Sequence, residues 1–300
     1  MKKVVIITGL TGSGKSALAM KLCKEYSGEI ISADSVQIYK RLDIGSAKAS
    51  KAEMSSVSHH LIDILNFDET FNVSEFITLC SDALNKIVFN GHIPFIVGGT
   101  GLYVKALVEG YNFSNAVGHE DFRRECEDLA IENGNIAVWN KLNELNPEKA
   151  KAVHPNNLKR VIRYLEIEMF GEEKKKQESI LKDYDVLCLG IIDDREKIYD
   201  KINKRVEEMI KLGLEQEVSA LIKSGAKRED QSMNTIGYKE WFDYFEGKVT
   251  LERTIELIKQ HSRNYCKRQL TFLKTIPNIQ LVNLKEGEEK IREFLNDRNK

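Results

Sequence analysis

The run Gly9-Leu10-Thr11-Gly12-Ser13-Gly14-Lys15-Ser16 has the composition and spacing of a phosphate cradle. Glycines let backbone N–H groups turn inward onto phosphate oxygens, and the N-terminus of a following helix adds positive potential. Lys15 supplies a point charge for terminal phosphates, and the Ser16 hydroxyl can ligate Mg²⁺. The run follows the apolar Val4-Val5-Ile6-Ile7 and precedes a helical segment, Ala17 to Tyr26, the strand–loop–helix setting that a P-loop requires. Such a chain binds a phosphorylated ligand. Asp34 ends a second strand-like run, Glu29-Ile30-Ile31-Ser32-Ala33, and Thr100 follows Gly98-Gly99 after the apolar Ile93-Pro94-Phe95-Ile96-Val97. Ligands of parallel α/β sheets bind beyond the carboxyl ends of the strands, so Asp34 and Thr100 should face the same crevice as Lys15. There Asp34 can accept a proton or reach a metal; its other reading is a helix N-cap. Gly98-Gly99 stands where an ATPase usually places an acidic residue for Mg²⁺, which points away from ATP hydrolysis.

Basic residues form the second chemical feature. Lys259, Arg263 and Lys267 recur at i, i+4, i+8 beside Arg268, with Tyr265 and Phe272 interleaved and no acidic residue from Lys259 to Lys274. This one-signed run suits nucleic-acid phosphates; the alternative is a solvated helix face. The formal net charge is −1, so any nucleic-acid contact must come from such local patches.

These residues need a scaffold. At 300 residues, 42% apolar and 30% charged, the chain has room for a large core and about two domains. Strand patterns alternate with helical ones, including Val73 to Phe89, and His59 to Ile64 reads as a third strand. From 114 to 183 strand signals vanish and helices take over: Phe122 to Glu132, Ile136 to Leu145, and Leu158 to Phe170 with Asn156-Asn157 placed to cap it. The mixed-charge run Glu172-Glu173-Lys174-Lys175-Lys176 reads as a solvated connection. Val186 to Ile192 returns the chain to the sheet, and Arg195 to Ser224 reads as one long helical pattern. The fold expected is an α/β P-loop NTPase-like parallel sheet flanked by helices, formed by 1–113 and 184–300, with an all-helical insertion at 114–183. Cys23, Cys80, Cys126, Cys188 and Cys266 are scattered and odd in number, which favours buried thiols in a reducing cytoplasm over disulfides or a metal site. No apolar run approaches a signal peptide or a membrane span, and a cytoplasmic monomer is expected.

At these residues the sequence resembles the tRNA dimethylallyltransferase (tRNA isopentenyltransferase) family. The matching stretches are Gly9 to Ser16, Ser32 to Tyr39, Asp43 to Lys48, Gly98 to Tyr103, His154 to Asn157 with Arg160 and Arg163, the Arg205 helix, Ile236 to Glu240, and Lys267-Arg268-Gln269. They run in order along nearly the whole chain. Leu10 and Gly12 stand where the family usually has Pro and Ala, and Ser16 replaces the common Thr. The resemblance implies transfer of a dimethylallyl group from dimethylallyl diphosphate to N6 of the adenosine immediately 3′ of the anticodon in tRNA. It implies Asp34 as general base, with Thr100 and Arg205 in the catalytic set. Gly9, Thr11, Gly12, Ser13, Gly14, Lys15 and Ser16 would hold the donor with Mg²⁺. Asp34, Ser35, Val36, Gln37, Thr100, Arg123, Lys159, Arg160 and Arg163 would meet the tRNA, together with the basic run Lys259, Arg263, Lys267 and Arg268. Rival readings are a P-loop kinase for a nucleoside or small metabolite, an enzyme prenylating free adenine nucleotides, and a nucleotide-gated RNA-binding protein.

Overall fold

The computed structural model describes residues 2–110, 119–171 and 178–297, so the charge run at 172–176 lies outside the described residues. The first half begins β1 (Lys2–Gly9), α1 (Lys15–Tyr26), β2 (Gly28–Ser32), α2 (Lys51–Ser56) and β3 (His59–His60). It continues through α3 (Val73–Phe89), β4 (Ile93–Gly98) and α4 (Gly101–Glu109). Four helices follow: α5 (Glu120–Asn133), α6 (Asn135–Leu145), α7 (Pro147–Lys151) and α8 (Leu158–Phe170). Then come β5 (Tyr184–Ile191), α9 (Arg195–Lys211), α10 (Leu214–Lys223), α11 (Glu240–Phe245), α12 (Leu251–Leu273), β6 (Gln280–Val282) and α13 (Leu284–Asn296).

The six strands form one sheet in the order β3-β2-β4-β1-β5-β6, every pairing parallel. β1 lies inside it, pairing Ile7 with Val97 of β4 and with Leu189 of β5. A parallel strand is covered on both faces and so reads as a continuous apolar run. Alternation sends Val4 and Ile6 into one core, with Phe76, Leu107 and Ile202. Val5 and Ile7 enter the other, with Leu18 and Leu22 of α1 and Ile291 of α13. All four β1 side chains are 0% exposed, and each buried aliphatic contributes about 1.5–3 kcal/mol.

The chain divides into two compact units, one of Met1–Gly110 with Glu178–Lys300, the other of Tyr111–Gln177. The second unit has its own core, in which Val138, Leu142, Val161 and Leu165 are at most 1% exposed.

Three local expectations change. The third strand stops at His60, because Leu61 (φ 62°) and Asp63 (φ 55°) take left-handed backbone and Asp63 turns to the Lys48 ammonium. The long helical pattern from Arg195 breaks after Lys211 at Gly213 (φ 98°). Asn157 occupies the N-cap of α8 without a side-chain capping bond.

Candidate active site

β1 ends in Gly9, and the next residues form the loop that opens α1. Gly14 is the N-cap at φ 86°, a left-handed conformation that any β-carbon would strain, and no side chain caps the helix. The first backbone donors of α1 therefore remain open to a ligand. Beyond β2, Asp34 Oδ1 accepts the N–H of Val36 at 2.9 Å and that of Gln37 at 3.4 Å. Asp34 thus caps a turn with one oxygen, while Oδ2 bonds to no described residue. The capping expected of Asp34 thus serves a turn rather than a helix.

The end of β4 supplies the third wall. A β-carbon on Gly98 would lie 2.0 Å from the Ala33 carbonyl oxygen, so only glycine lets the Thr100 loop approach Asp34 this closely. Thr100 N donates to Ala33 O at 3.2 Å, and Thr100 Oγ1 accepts the Ser35 N–H at 3.1 Å. The Thr100 hydroxyl therefore fixes the turn that carries Asp34.

α9 brings Arg205 to the same place. Half-buried Arg205 makes no hydrogen bond or ion pair with a described residue. Lys15 has only a 3.3 Å bond to the Leu10 carbonyl. Burial, then the charge of Arg205, lowers the Lys15 pKa from 10.5 to about 8, with Asp34 opposing. Burial likewise lowers that of Arg205, again against Asp34. Two unpaired cations share one field, and an anion placed between them would relieve both.

Two cavities meet here. One of about 660 Å³ is lined by Lys15, Ser16, Lys48 and Arg205 among others. The second, of about 320 Å³, is lined by Thr11, Asp34, Thr100, Arg205, Tyr265 and Arg268 among others. Arg205 and Met209 line both. Ser16 is exposed, and its hydroxyl has no partner among the described residues. No group of three or more His, Cys, Asp or Glu among them could hold a metal. A cation at Ser16 would draw its other ligands from a bound phosphate and water, the usual habit of Mg²⁺, and the lone hydroxyl fits that role.

A family model for IPP transferase matches residues 37–276, and one for isopentenyl transferase matches residues 2–69. A tRNA dimethylallyltransferase from Bacillus anthracis is 43% identical over 293 residues, covering 96% of this chain and 93% of the relative. The chain belongs to the tRNA dimethylallyltransferase family. Among solved structures, a tRNA isopentenylpyrophosphate transferase from Bacillus halodurans is 39% identical, with TM-score 0.72 over 98% of this chain and 96% of its own. A eukaryotic dimethylallyltransferase acting on tRNA is 27% identical, with TM-score 0.79 over 98% of this chain and 79% of its own.

In this tRNA dimethylallyltransferase family member, the basic residues expected along α12 divide. Lys259 pairs with Glu207 of α9 at 2.8 Å, and Arg263 bonds Asn203 at 2.7 Å and Glu256 at 2.8 Å. The expected one-signed face is thus neutralised at those two positions by partners largely remote in sequence. Lys267 and Arg268 remain exposed, Arg268 over the Tyr265 ring at 5.6 Å. In the second unit, Arg123 and Arg163 both bond Glu166, which is 1% exposed. Arg160 bonds the Tyr164 hydroxyl at 2.8 Å, and Lys159 is exposed.

Two residues have supporting roles that the sequence reading does not give them, although Gln269 stands in a stretch that carries the resemblance. Gln269 accepts the Thr11 N–H at 2.9 Å and donates to Gly99 O at 3.0 Å, tying the Gly9–Ser16 loop to the Thr100 loop. Glu217 of α10 accepts the N–H groups of Asp43, Ile44 and Gly45 at 3.1, 2.8 and 3.2 Å, and the Tyr238 hydroxyl at 2.8 Å. The signal for each is a polar residue at a core-facing spacing: Cys266-Gln269-Leu273 and Leu214-Glu217-Leu221.

Proposed function

We propose that this chain transfers a dimethylallyl group from dimethylallyl diphosphate to N6 of the adenosine immediately 3′ of the anticodon in tRNA, releasing diphosphate. The observation that carries the proposal is the unpaired Lys15 and Arg205 in one field with Asp34, where the two cavities adjoin. On this reading Gly9 to Ser16 is a P-loop that binds the donor diphosphate. Lys15, Arg205 and the open N–H groups of α1 hold the negative charge that grows as the allylic C–O bond breaks. The adenine amine forms the new N–C bond and loses its proton to Asp34 Oδ2, while Oδ1 keeps the turn in place. Thr100 holds that turn from the other side. Mg²⁺, held by the Ser16 hydroxyl, would further neutralise the leaving diphosphate.

The unit Tyr111–Gln177 serves, on this proposal, as an inserted helical domain that meets the tRNA through Arg123, Lys159, Arg160 and Arg163. Lys267 and Arg268 reach further phosphates from α12. The target base must leave its stack to reach a cavity of about 320 Å³. The protein would act as a monomer in the cytoplasm. Among the described residues no helix is long and apolar enough to cross a membrane.

Incubation with labelled dimethylallyl diphosphate, ATP, AMP and bulk tRNA tests the assignment. Label in tRNA alone is the expected result. Phosphoryl transfer from ATP, or label in AMP or ATP, would overturn it in favour of a kinase or a free-nucleotide prenyltransferase.

A further inference from the structure

Resting on the proposed reaction, we infer that Met209 sets the length of the prenyl chain the enzyme accepts. The donor is an amphiphile, with an anionic head joined to a branched apolar tail. α9 presents a matching stripe: Ile202, Arg205, Val206 and Met209 follow at i, i+3, i+4 and i+7, all lining the smaller cavity. Arg205 meets the head, and the aliphatic residues beside it meet the tail. That cavity, about 320 Å³, lies near the lower end of the ~300–1,000 Å³ range of ligand pockets, yet must hold a purine and the five-carbon chain together.

Met209 differs from its neighbours on the stripe. It is buried, at 7% exposed, and it alone among the apolar described residues lines both cavities. One further isoprene unit finds no room beside the purine and must run back past the partition into the larger cavity. The Met209 side chain stands in that route. Shortening it widens the opening between the small cavity and the space of about 660 Å³ that takes the diphosphate, where exposed Leu212 continues the apolar lining. Truncating Ile202 or Val206, which line only the smaller cavity, opens no such passage.

The test is the ratio of kcat/KM for geranyl diphosphate to that for dimethylallyl diphosphate, on one tRNA preparation, for wild type, Met209→Leu, Met209→Val and Met209→Ala. A ratio does not depend on the fraction of protein folded. Wild type should strongly prefer the five-carbon donor, Met209→Leu should keep that ratio, and the ratio should rise through Val to Ala by roughly tenfold or more. A ratio flat across Val and Ala, or a wild type that uses both donors equally, overturns the inference. Should Met209→Ala fail to fold in a thermal melt, Met209→Val carries the comparison. A wild type that transfers no dimethylallyl group overturns the proposed function itself, a failure distinct from an unchanged ratio.

Discussion

At Lys15 the protonation state is a readable quantity. Its pKa falls from 10.5 to about 8 through burial and the nearby Arg205 charge, so the free protein loses this proton as pH rises through about 8. A diphosphate needs the ammonium, so donor affinity should hold steady below that pH and weaken above it, by up to about tenfold per pH unit for one linked proton. Stability moves the other way: between about pH 8 and 10.5 the unfolded chain binds more protons than the folded one, and unfolding free energy rises. Calorimetric titration with the allylic diphosphate should show proton uptake near pH 8. Lys15→Ala should weaken binding by about 1.5–3 kcal/mol, roughly ten- to hundredfold, and abolish the pH dependence. Unchanged affinity in Lys15→Ala would remove the loop from donor binding. Lys15, Asp34 and Thr100 are legible in the sequence, because each sits at a strand end or in a motif whose spacing dictates its place, whereas Arg205, in the middle of α9, is singled out only by the family resemblance. The roles of Gln269 and Glu217 are not legible, because a polar side chain at a core spacing names no partner until the chain has folded.

The helices show where such legibility stops. α3 and α8 have the bounds that their apolar spacing sets, since periodicity is a local property. α9 and α10 read as one helix in the sequence because apolar residues at helical spacing continue on both sides of Gly213, although the buried stripe steps by five residues there, from Met209 to Leu214. The break places Glu217 against the Asp43–Gly45 backbone. β6 and α13 go unread, although the Asn283–Glu286 capping box marks the start of α13. α12 carries the sharpest lesson, for a run without acidic residues looks one-signed only until α9 brings Glu207 to Lys259. Replacing Lys267 and Arg268 with Ala should therefore weaken tRNA binding and reduce its salt slope by about 0.7–0.9 for each phosphate no longer neutralised. Lys259→Ala should leave the slope nearly unchanged, because its ammonium is already paired. A titration of tRNA affinity against salt separates the two; an equal slope change in both variants would contradict the division of the helix.

The whole molecule is two compact units, Met1–Gly110 with Glu178–Lys300 and Tyr111–Gln177, where the sequence reading sets an insertion at 114–183. Loss of strand signals marks such a change because a region without strands cannot extend a sheet and must bury its helices on one another. Leu142→Ala, at a position 0% exposed within the second unit's core, should cost about 2–5 kcal/mol and speed amide exchange across α5, α6 and α8. Exchange unchanged there would contradict an independent core. The larger unit gathers the ends of β1, β2 and β4 and the Arg205 face of α9 around two adjoining cavities. Our central claim is that a diphosphate donor and an adenine meet at that wall, with Asp34 taking the proton. Asp34→Asn keeps the capping oxygen and removes the proton acceptor. The decisive measurement is single-turnover dimethylallyl transfer by Asp34→Asn at saturating donor and tRNA, with the affinity for each measured alongside. The account predicts affinities close to wild type and a rate lower by roughly 10²–10⁴-fold; a rate within about threefold of wild type would contradict it.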